Sequence, residues 1–140
     1  MSTDISFSDK MLVELAKDLR SKAYAPYSNY TVGAACLGLS GIAYFGCNVE
    51  NSSYPVSICA ERSAIASAVA HGEKGIVVLA VAGGPASSPP LPDLRPCGMC
   101  LQFMAEFMKP EGRILIAEGN DKYLEFTLKE LFPEAFNLPR

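Results

Sequence analysis

The 140-residue sequence lacks an excess of basic charge. It contains 12 Lys and Arg residues against 15 Asp and Glu residues, which gives a formal net charge of −3 and a pI near 5.1. A protein that follows a polynucleotide backbone normally presents a Lys- and Arg-rich face, whereas the basic residues here are scattered along the chain. The sequence therefore predicts no nucleic-acid partner and favours a small neutral ligand.

Long apolar runs are also missing. No uninterrupted stretch approaches the ~18 apolar residues of a membrane-spanning helix, and the segment MSTDISFSDK lacks the apolar run of a signal peptide. We therefore expect no membrane partner and a cytoplasmic location. In a reducing compartment, and with an odd number of cysteines, five, full disulfide pairing is not expected. Metal binding or buried thiols are the better interpretations of these cysteines.

Length and hydrophobic pattern predict a single domain over residues 1–140. Helical and extended segments alternate along the chain, which predicts a three-layer α/β/α sandwich around a mixed five-stranded sheet. The predicted elements are, in order, an amphipathic helix at 8–23, a hairpin of strands 31–39 and 42–49, a buried helix at 59–71, a strand at 76–83, a helix at 98–109, strands at 113–119 and 122–126, and a short helix with a Thr127/Glu130 capping box.

Three cysteines form a candidate metal site. Cys97 and Cys100 are spaced C-x-x-C, so both thiols can reach one ion from the first turn of a helix, although the motif alone also fits a redox pair or chance. Cys59 lies at another predicted helix start, and helix N-termini favour thiolates. Three thiolates would bind Zn²⁺ and leave one position open, which is the catalytic arrangement. Cys36 and Cys47 are interpreted as buried small hydrophobic residues.

Two charged residues follow Cys59. Glu61 faces the same site only if Cys59 occupies the non-helical cap position, because side chains two apart on a helix point in different directions. There Glu61 could move protons for a metal-activated water; alternatively it is an ordinary first-turn glutamate. Arg62 could donate to the sulfurs and offset their negative charge, or it could be a surface arginine. The apolar helix behind it favours the first interpretation.

Four segments together resemble a known family. GCNVENSSYPVSICAERSAI (46–65), followed by PCGMC (96–100), is similar to the signature of the zinc-dependent cytidine deaminases of the free-nucleoside type. PYSNYTVGAA (26–35) and ELFPEAF (130–136) fall where that family has comparable segments. The resemblance implies hydrolytic deamination of cytidine and 2′-deoxycytidine to the uridines and ammonia, in pyrimidine salvage.

The resemblance also implies a role for each matching position. It implies one Zn²⁺ per subunit, an activated hydroxide as nucleophile, and a homotetramer whose active sites are completed by neighbouring subunits. The implied residues are Cys59, Cys97 and Cys100 as zinc ligands, Glu61 as proton shuttle, Asn48 and Glu50 for the ribose hydroxyls, Tyr30 against the pyrimidine, the backbone at Ala60 and Pro96 for the base, and Phe136 reaching a neighbouring subunit.

One position departs from the family pattern. The family usually continues its second motif as PCGxCRQ, whereas this chain reads PCGMCLQ and has Leu101 in place of the arginine. If that guanidinium also offsets thiolate charge, the zinc centre depends on Arg62 alone.

Three alternatives remain at this stage. A deaminase of a modified cytidine or a nucleoside antibiotic would share the motifs, although Asn48 and Glu50 favour an ordinary ribose. A non-catalytic zinc module would need a fourth protein ligand, but the single histidine, His71, lies about three helical turns from Cys59. A C-x-x-C oxidoreductase would need a thioredoxin-like setting, which the Pro-rich segment before Cys97 does not provide.

Overall fold

The structure is a computed structural model that describes residues 7–139. Five strands form one sheet in the order β2-β1-β3-β4-β5. The strands are β1 (Tyr30–Gly38), β2 (Ala43–Cys47), β3 (Ile76–Pro85), β4 (Met108–Ala117) and β5 (Tyr123–Thr127). The helices are α1 (Asp9–Leu19), α2 (Ala60–Ala70), α3 (Gly98–Phe107) and α4 (Leu128–Leu131).

The sheet is mixed, as the sequence predicted. β1 pairs antiparallel with both β2 and β3, β3 pairs parallel with β4, and β4 pairs antiparallel with β5. β1 and β2 form the predicted hairpin, and Gly41 in its turn has a φ of 85°, a conformation that side chains other than glycine rarely adopt. The chain crosses the sheet twice: α2 connects β2 to β3 across β1, and α3 connects β3 to its parallel neighbour β4.

Helices cover both faces of the sheet, which confirms the three-layer sandwich. On one face α1 buries Leu12 and Ala16 against small residues of the central strands, such as Ala80. On the other face α2, α3 and α4 share a larger core that includes Ile65 and Met104. No helix of the described residues is both long and apolar enough to cross a membrane.

Two element boundaries differ from the sequence-based prediction by more than two residues. α1 ends at Leu19, and residues 20–22 form a tighter 3₁₀ turn instead of continuing the helix to 23. β4 begins at Met108 instead of 113, directly after α3. Met108 pairs with Ile76, and the next pair joins Arg113 to Val78, so the strand bulges between them. Because the residues of this bulge are not hydrophobic, the hydrophobic pattern of the sequence does not show where the strand begins.

A glycine lets α2 lie unusually close to the sheet. A Cβ atom on Gly46 of β2 would stand 2.3 Å from the backbone nitrogen of Ala64 and 2.7 Å from the carbonyl oxygen of Ala60. Both of these atoms belong to the backbone of α2, so no side-chain rotation could make room. The absent side chain of Gly46 therefore fixes the height of the first two turns of α2 above the sheet.

Candidate active site

A cavity of about 470 Å³ lies at one end of the sandwich. It is bounded by the start of β1, the segment after β2, and the N-terminal ends of α2 and α3. Seven residues that the sequence singled out lie on its wall: Tyr30, Asn48, Glu50, Cys59, Ala60, Glu61 and Cys97.

Three cysteine sulfurs converge beside this cavity. The Sγ atoms of Cys59, Cys97 and Cys100 all lie within 4.8 Å of one another. Cys59 is the N-cap of α2 and Cys97 the N-cap of α3, and both have extended backbone dihedrals. Two helix N-termini therefore point their partial positive charge at the same cluster. The cap position predicted for Cys59 is the one it occupies.

The cluster fits a zinc ion in both spacing and chemistry. Thiolates about 2.3 Å from one zinc stand ~3.8 Å apart, which is compatible with the observed spread of the sulfurs. A hydrogen bond from the Cys100 thiol, followed by the nearby Arg62 guanidinium, lowers the pKa of Cys59 to about 5. The same hydrogen bond, with burial, raises the pKa of Cys100. At neutral pH the cluster thus already holds a thiolate, the form that binds metal.

Of the other two cysteines, Cys36 is the buried small residue that the sequence analysis expected, whereas Cys47 is only partly buried. Cys36 is fully buried in β1, and burial raises its pKa to about 12, so it stays a neutral thiol. Cys47 is half-buried, and burial raises its pKa as well. Neither belongs to the metal-binding group found among the described residues. His71 is at the far end of α2, where its Nδ1 lies 2.7 Å from the carbonyl oxygen of Ser67.

Arg62 extends from the first turn of α2 toward the sulfurs. Its Nη2 atom lies 3.6 Å from Cys59 Sγ, and this contact raises the pKa of the guanidinium. Its Nε atom is buried and has no hydrogen-bond partner among the described residues. Leu101 is only 8% exposed and belongs to the apolar core. Arg62 is therefore the cation that contacts the cluster in the described part of the chain, while position 101 contributes packing.

Glu61 is the one buried ionisable residue on the cavity wall. It is 5% exposed and lies in the first turn of α2, two residues after Cys59. Burial raises the pKa of its carboxyl group to about 7, and the neighbouring Cys59 thiolate adds to this shift. A carboxyl group with that pKa can accept and return a proton near neutral pH.

Asn48 and Glu50 are held firmly by the backbone around them. Asn48 accepts a hydrogen bond from the Val32 N–H at 2.8 Å and donates one to the Tyr30 carbonyl oxygen at 2.9 Å. Glu50 accepts from two backbone N–H groups and from the hydroxyl of Ser28. The Ser28 hydroxyl bond is the main cause of the lowered pKa of Glu50. Both side chains keep unused hydrogen-bonding capacity toward the cavity.

Four predicted site residues lie outside the cavity wall: Cys100 and Arg62, which belong to the sulfur cluster and its contacts, and Pro96 and Phe136. Pro96 is buried next to Cys97 and does not line the cavity. Phe136 is 68% exposed and lines a separate cleft beside α3 and α4, where its carbonyl oxygen accepts a hydrogen bond from Gln102 at 3.1 Å. Within one chain, Phe136 is therefore not part of the site.

The sequence analysis missed several residues of the cavity wall. Ser28 sits inside the quoted PYSNY segment, which was the signal that could have found it. Leu94 and Arg95 directly precede the PCGMC motif, but nothing in a Pro-rich segment indicates which residues turn inward. The missed residues are Ser28, Val32, Ser57, Ile58, Leu94 and Arg95.

The α/β sandwich, the three thiols at two helix starts and the buried carboxyl group beside them define a zinc-dependent hydrolase. Comparison with known proteins narrows this class. Residues 7–115 match the family model described as "Cytidine and deoxycytidylate deaminase zinc-binding region". The chain belongs to this deaminase family, and the matched region contains all three cysteines of the cluster.

Individual relatives agree with the family over nearly the whole chain. The cytidine deaminase of Sporosarcina psychrophila is 39% identical over 132 residues, which are 92% of this chain and 90% of the relative. The cytidine deaminase of Mycoplasma genitalium is 34% identical and covers 97% of this chain and 98% of its own. The crystal structure of cytidine deaminase from Burkholderia pseudomallei superposes with a TM-score of 0.84 at 39% identity, covering 93% of this chain and 100% of that one.

Proposed function

We propose that this protein hydrolyses the 4-amino group of cytidine and 2′-deoxycytidine, giving uridine or 2′-deoxyuridine and ammonia. One observation carries the proposal: the sulfurs of Cys59, Cys97 and Cys100 meet beside a cavity into which the buried Glu61 faces. The relatives described above bear the name cytidine deaminase, which supports this choice of substrate.

The three cysteines would hold the zinc ion, whose Lewis acidity makes a nucleophile of water near neutral pH. Glu61 does the proton work of the reaction. Its carboxylate takes a proton from the attacking water and delivers it to N3 of the pyrimidine. It then takes the second proton of that water from the new hydroxyl on C4 and passes it to the departing amine, so that ammonia leaves and the carbonyl of uridine forms. Burial suits Glu61 to both directions of transfer, because it raises the pKa of the carboxyl group to about 7.

The remaining cavity residues would bind the nucleoside. Asn48 and Glu50 hold the ribose hydroxyls, since both keep free acceptors or donors on side chains that the protein backbone already fixes. The ring of Tyr30 packs against the pyrimidine. Backbone groups at Ala60 and Pro96 read the edge of the base, beside the sulfurs that would hold the metal.

The assembly and the cellular role belong to the same proposal. The chain is one deaminase domain over residues 1–140 that works as a homotetramer in the cytoplasm, in pyrimidine salvage. Phe136 then completes the active site of a neighbouring subunit. The strong exposure of this aromatic ring, 68%, on a segment outside its own cavity supports that role.

The direct test follows the ultraviolet band of cytidine after mixing with purified protein, with zinc counted in the same sample. We expect the cytidine band to convert to that of uridine, with one zinc per chain. Cytidine, 2′-deoxycytidine and a sugar-modified cytidine are compared at equal concentration. Turnover of the modified nucleoside alone would replace our proposal with a specialised deaminase, and silence on all three with zinc present would favour a non-catalytic zinc protein.

A further inference from the structure

Arg20 makes an unusual set of hydrogen bonds next to the cavity. Its guanidinium donates from Nε to the carbonyl oxygen of Thr31 at 3.0 Å and from Nη1 to that of Ser88 at 2.9 Å. Its Nη2 donates to the carbonyl oxygens of Gly84 at 3.1 Å and Pro85 at 2.9 Å. All four acceptors are backbone atoms, and three of them lie more than 60 residues away in the chain.

The two segments that Arg20 contacts are neighbouring strand ends, with Thr31 paired to Gly84, and both lead into the cavity wall. Thr31 stands between Tyr30 and Val32, which both line the cavity at the start of β1. Gly84 and Pro85 end β3, and the chain continues from there to the wall residues at 94, 95 and 97.

The loop that follows β3 folds back against the ends of β1 and β3, whose carbonyl groups accept hydrogen bonds from Arg20. The Ala86 N–H donates to the Asn29 carbonyl oxygen at 2.9 Å, and the Leu91 N–H donates to the Gly83 carbonyl oxygen at 2.8 Å. Arg20 adds its bond to Ser88 between these two points. The segment leading to Cys97 is thus fastened at three successive places before it reaches the metal-binding cluster.

A glycine brings Arg20 into reach of these carbonyls. A Cβ atom on Gly33 would stand 2.1 Å from the carbonyl oxygen of Ala16 and 2.9 Å from the backbone nitrogen of Arg20. The end of α1 therefore rests directly on β1, and the turn after it aims the guanidinium across the sheet end. A planar guanidinium offers five donors in a fixed fork, so one side chain can serve four carbonyls at once.

We propose that Arg20 is a positioning residue for the deamination reaction, which fixes the 86–91 loop against the paired ends of β1 and β3 and thereby places the Leu94–Cys97 wall of the cavity relative to the Tyr30 wall. The proposal rests on the proposed function, because it concerns the binding of the nucleoside between these walls. Arg20 does not line the cavity, so it acts through the backbone of both segments. Its loss weakens ground-state and transition-state binding together, which raises KM and leaves kcat nearly unchanged.

The test compares Arg20→Gln with wild type and with a matched control, Arg113→Gln. Arg113 is a partly buried arginine that pairs with Asp9 and Glu125, and it does not line the active-site cavity. We expect R20Q to raise the KM for cytidine by about 5- to 20-fold with a kcat change under about threefold. R113Q should lower thermal stability without moving KM. R20K, which keeps the charge but loses the fork, should fall between wild type and R20Q, and it serves if R20Q does not fold.

Hydrogen exchange gives a second measurement that needs no turnover. In R20Q the amides of Ala86 and Leu91 should exchange faster than in wild type, while those of β5 should not; R113Q should leave the 86–91 segment protected. An unchanged KM, or unchanged exchange at 86–91 in a folded Arg20 variant, overturns the inference. If wild-type protein does not act on cytidine, the proposed function fails, and the exchange result still decides whether Arg20 fastens the two walls.

Discussion

At the scale of single residues, the proposed mechanism depends first on Glu61. We expect Glu61→Gln to keep wild-type zinc content, because the three sulfurs are untouched, and to lower kcat by about 10²- to 10⁴-fold, because an amide cannot carry the proton. The measurement pairs loss of cytidine absorbance with a zinc count on the same sample. Near-normal deamination by E61Q would contradict the role given to this residue.

Cys100→Ala is the matching variant for the metal. It removes one of three sulfurs within 4.8 Å of one another, so we expect a zinc count well below one per chain in addition to lost turnover. The contrast between the two variants separates proton transfer from metal binding. A C100A protein with full zinc content would show that the ion is held elsewhere.

Arg62 provides a prediction about charge. Its Nη2 contacts Cys59 Sγ at 3.6 Å, and Leu101 supplies no second cation. In Arg62→Gln, more negative charge stays on the sulfurs. The water that zinc would activate should therefore lose its proton only at higher pH. We expect the acidic limb of the kcat/KM profile to shift to higher pH in R62Q and to shift less in R62K, which keeps the charge. Identical limbs in all three proteins would rule out the charge-balancing role.

The sequence could place those residues whose position in the fold follows from their near neighbours in the chain. Cys59 as a cap and Glu61 in the first turn follow from helix geometry within a few residues. Leu94 and Arg20 could not be assigned, because their importance depends on partners far along the chain. Arg20 meets Ser88 across 68 residues, and no spacing rule connects two such positions.

At the scale of elements, the packing of α2 on β2 makes a sharp prediction. In Gly46→Ala the new methyl group would collide with backbone atoms of Ala64 and Ala60, so α2 must lift. We expect a loss of roughly 1–3 kcal/mol in the free energy of unfolding. Zinc affinity should fall as well, because α2 carries Cys59. Thermal unfolding with and without added zinc measures both effects.

Gly119→Ala is the control for this variant. A Cβ atom at Gly119 would meet only the Pro89 side chain, at 4.0 Å, which is ordinary contact. The Gly119→Ala substitution should leave stability and zinc affinity close to those of wild type. If G46A behaved like G119A, α2 would be free to adjust and Gly46 would not determine its position.

Elements whose ends carry a capping or turn signal in the sequence were predicted closely. The Thr127/Glu130 capping box is present in both directions, with bonds of 2.8 and 3.1 Å, and the hairpin turn lies at Ser40 and Gly41 as expected. The start of β4 was missed because Lys109 and Glu111 are charged, Pro110 is uncommon inside strands, and all three are exposed. Backbone pairing with β3 extends the strand there, and a hydrophobic pattern does not reveal such pairing.

At the scale of the whole molecule, the exposed C-terminal segment leads to a prediction about assembly. We expect light scattering to give about four times the 15.0 kDa mass of one chain. Phe136→Ala should lower kcat/KM in the tetramer, because each ring would complete another subunit's cavity. Leu39→Ala removes a similarly exposed apolar side chain, 64% exposed, from the hairpin, and it should leave kcat/KM unchanged. A fully active monomer would contradict the shared active site.

The direct passage of α3 into β4 has a consequence for changes in chain length. Cys100 belongs to the cluster of three sulfurs, and Met104, one turn later, is fully buried in the core. One residue inserted between them would rotate the two faces by ~100° relative to each other. No loop follows Phe107 to take up the difference before the strand begins. Insertions and deletions should therefore not be tolerated between the second cysteine motif and the sheet.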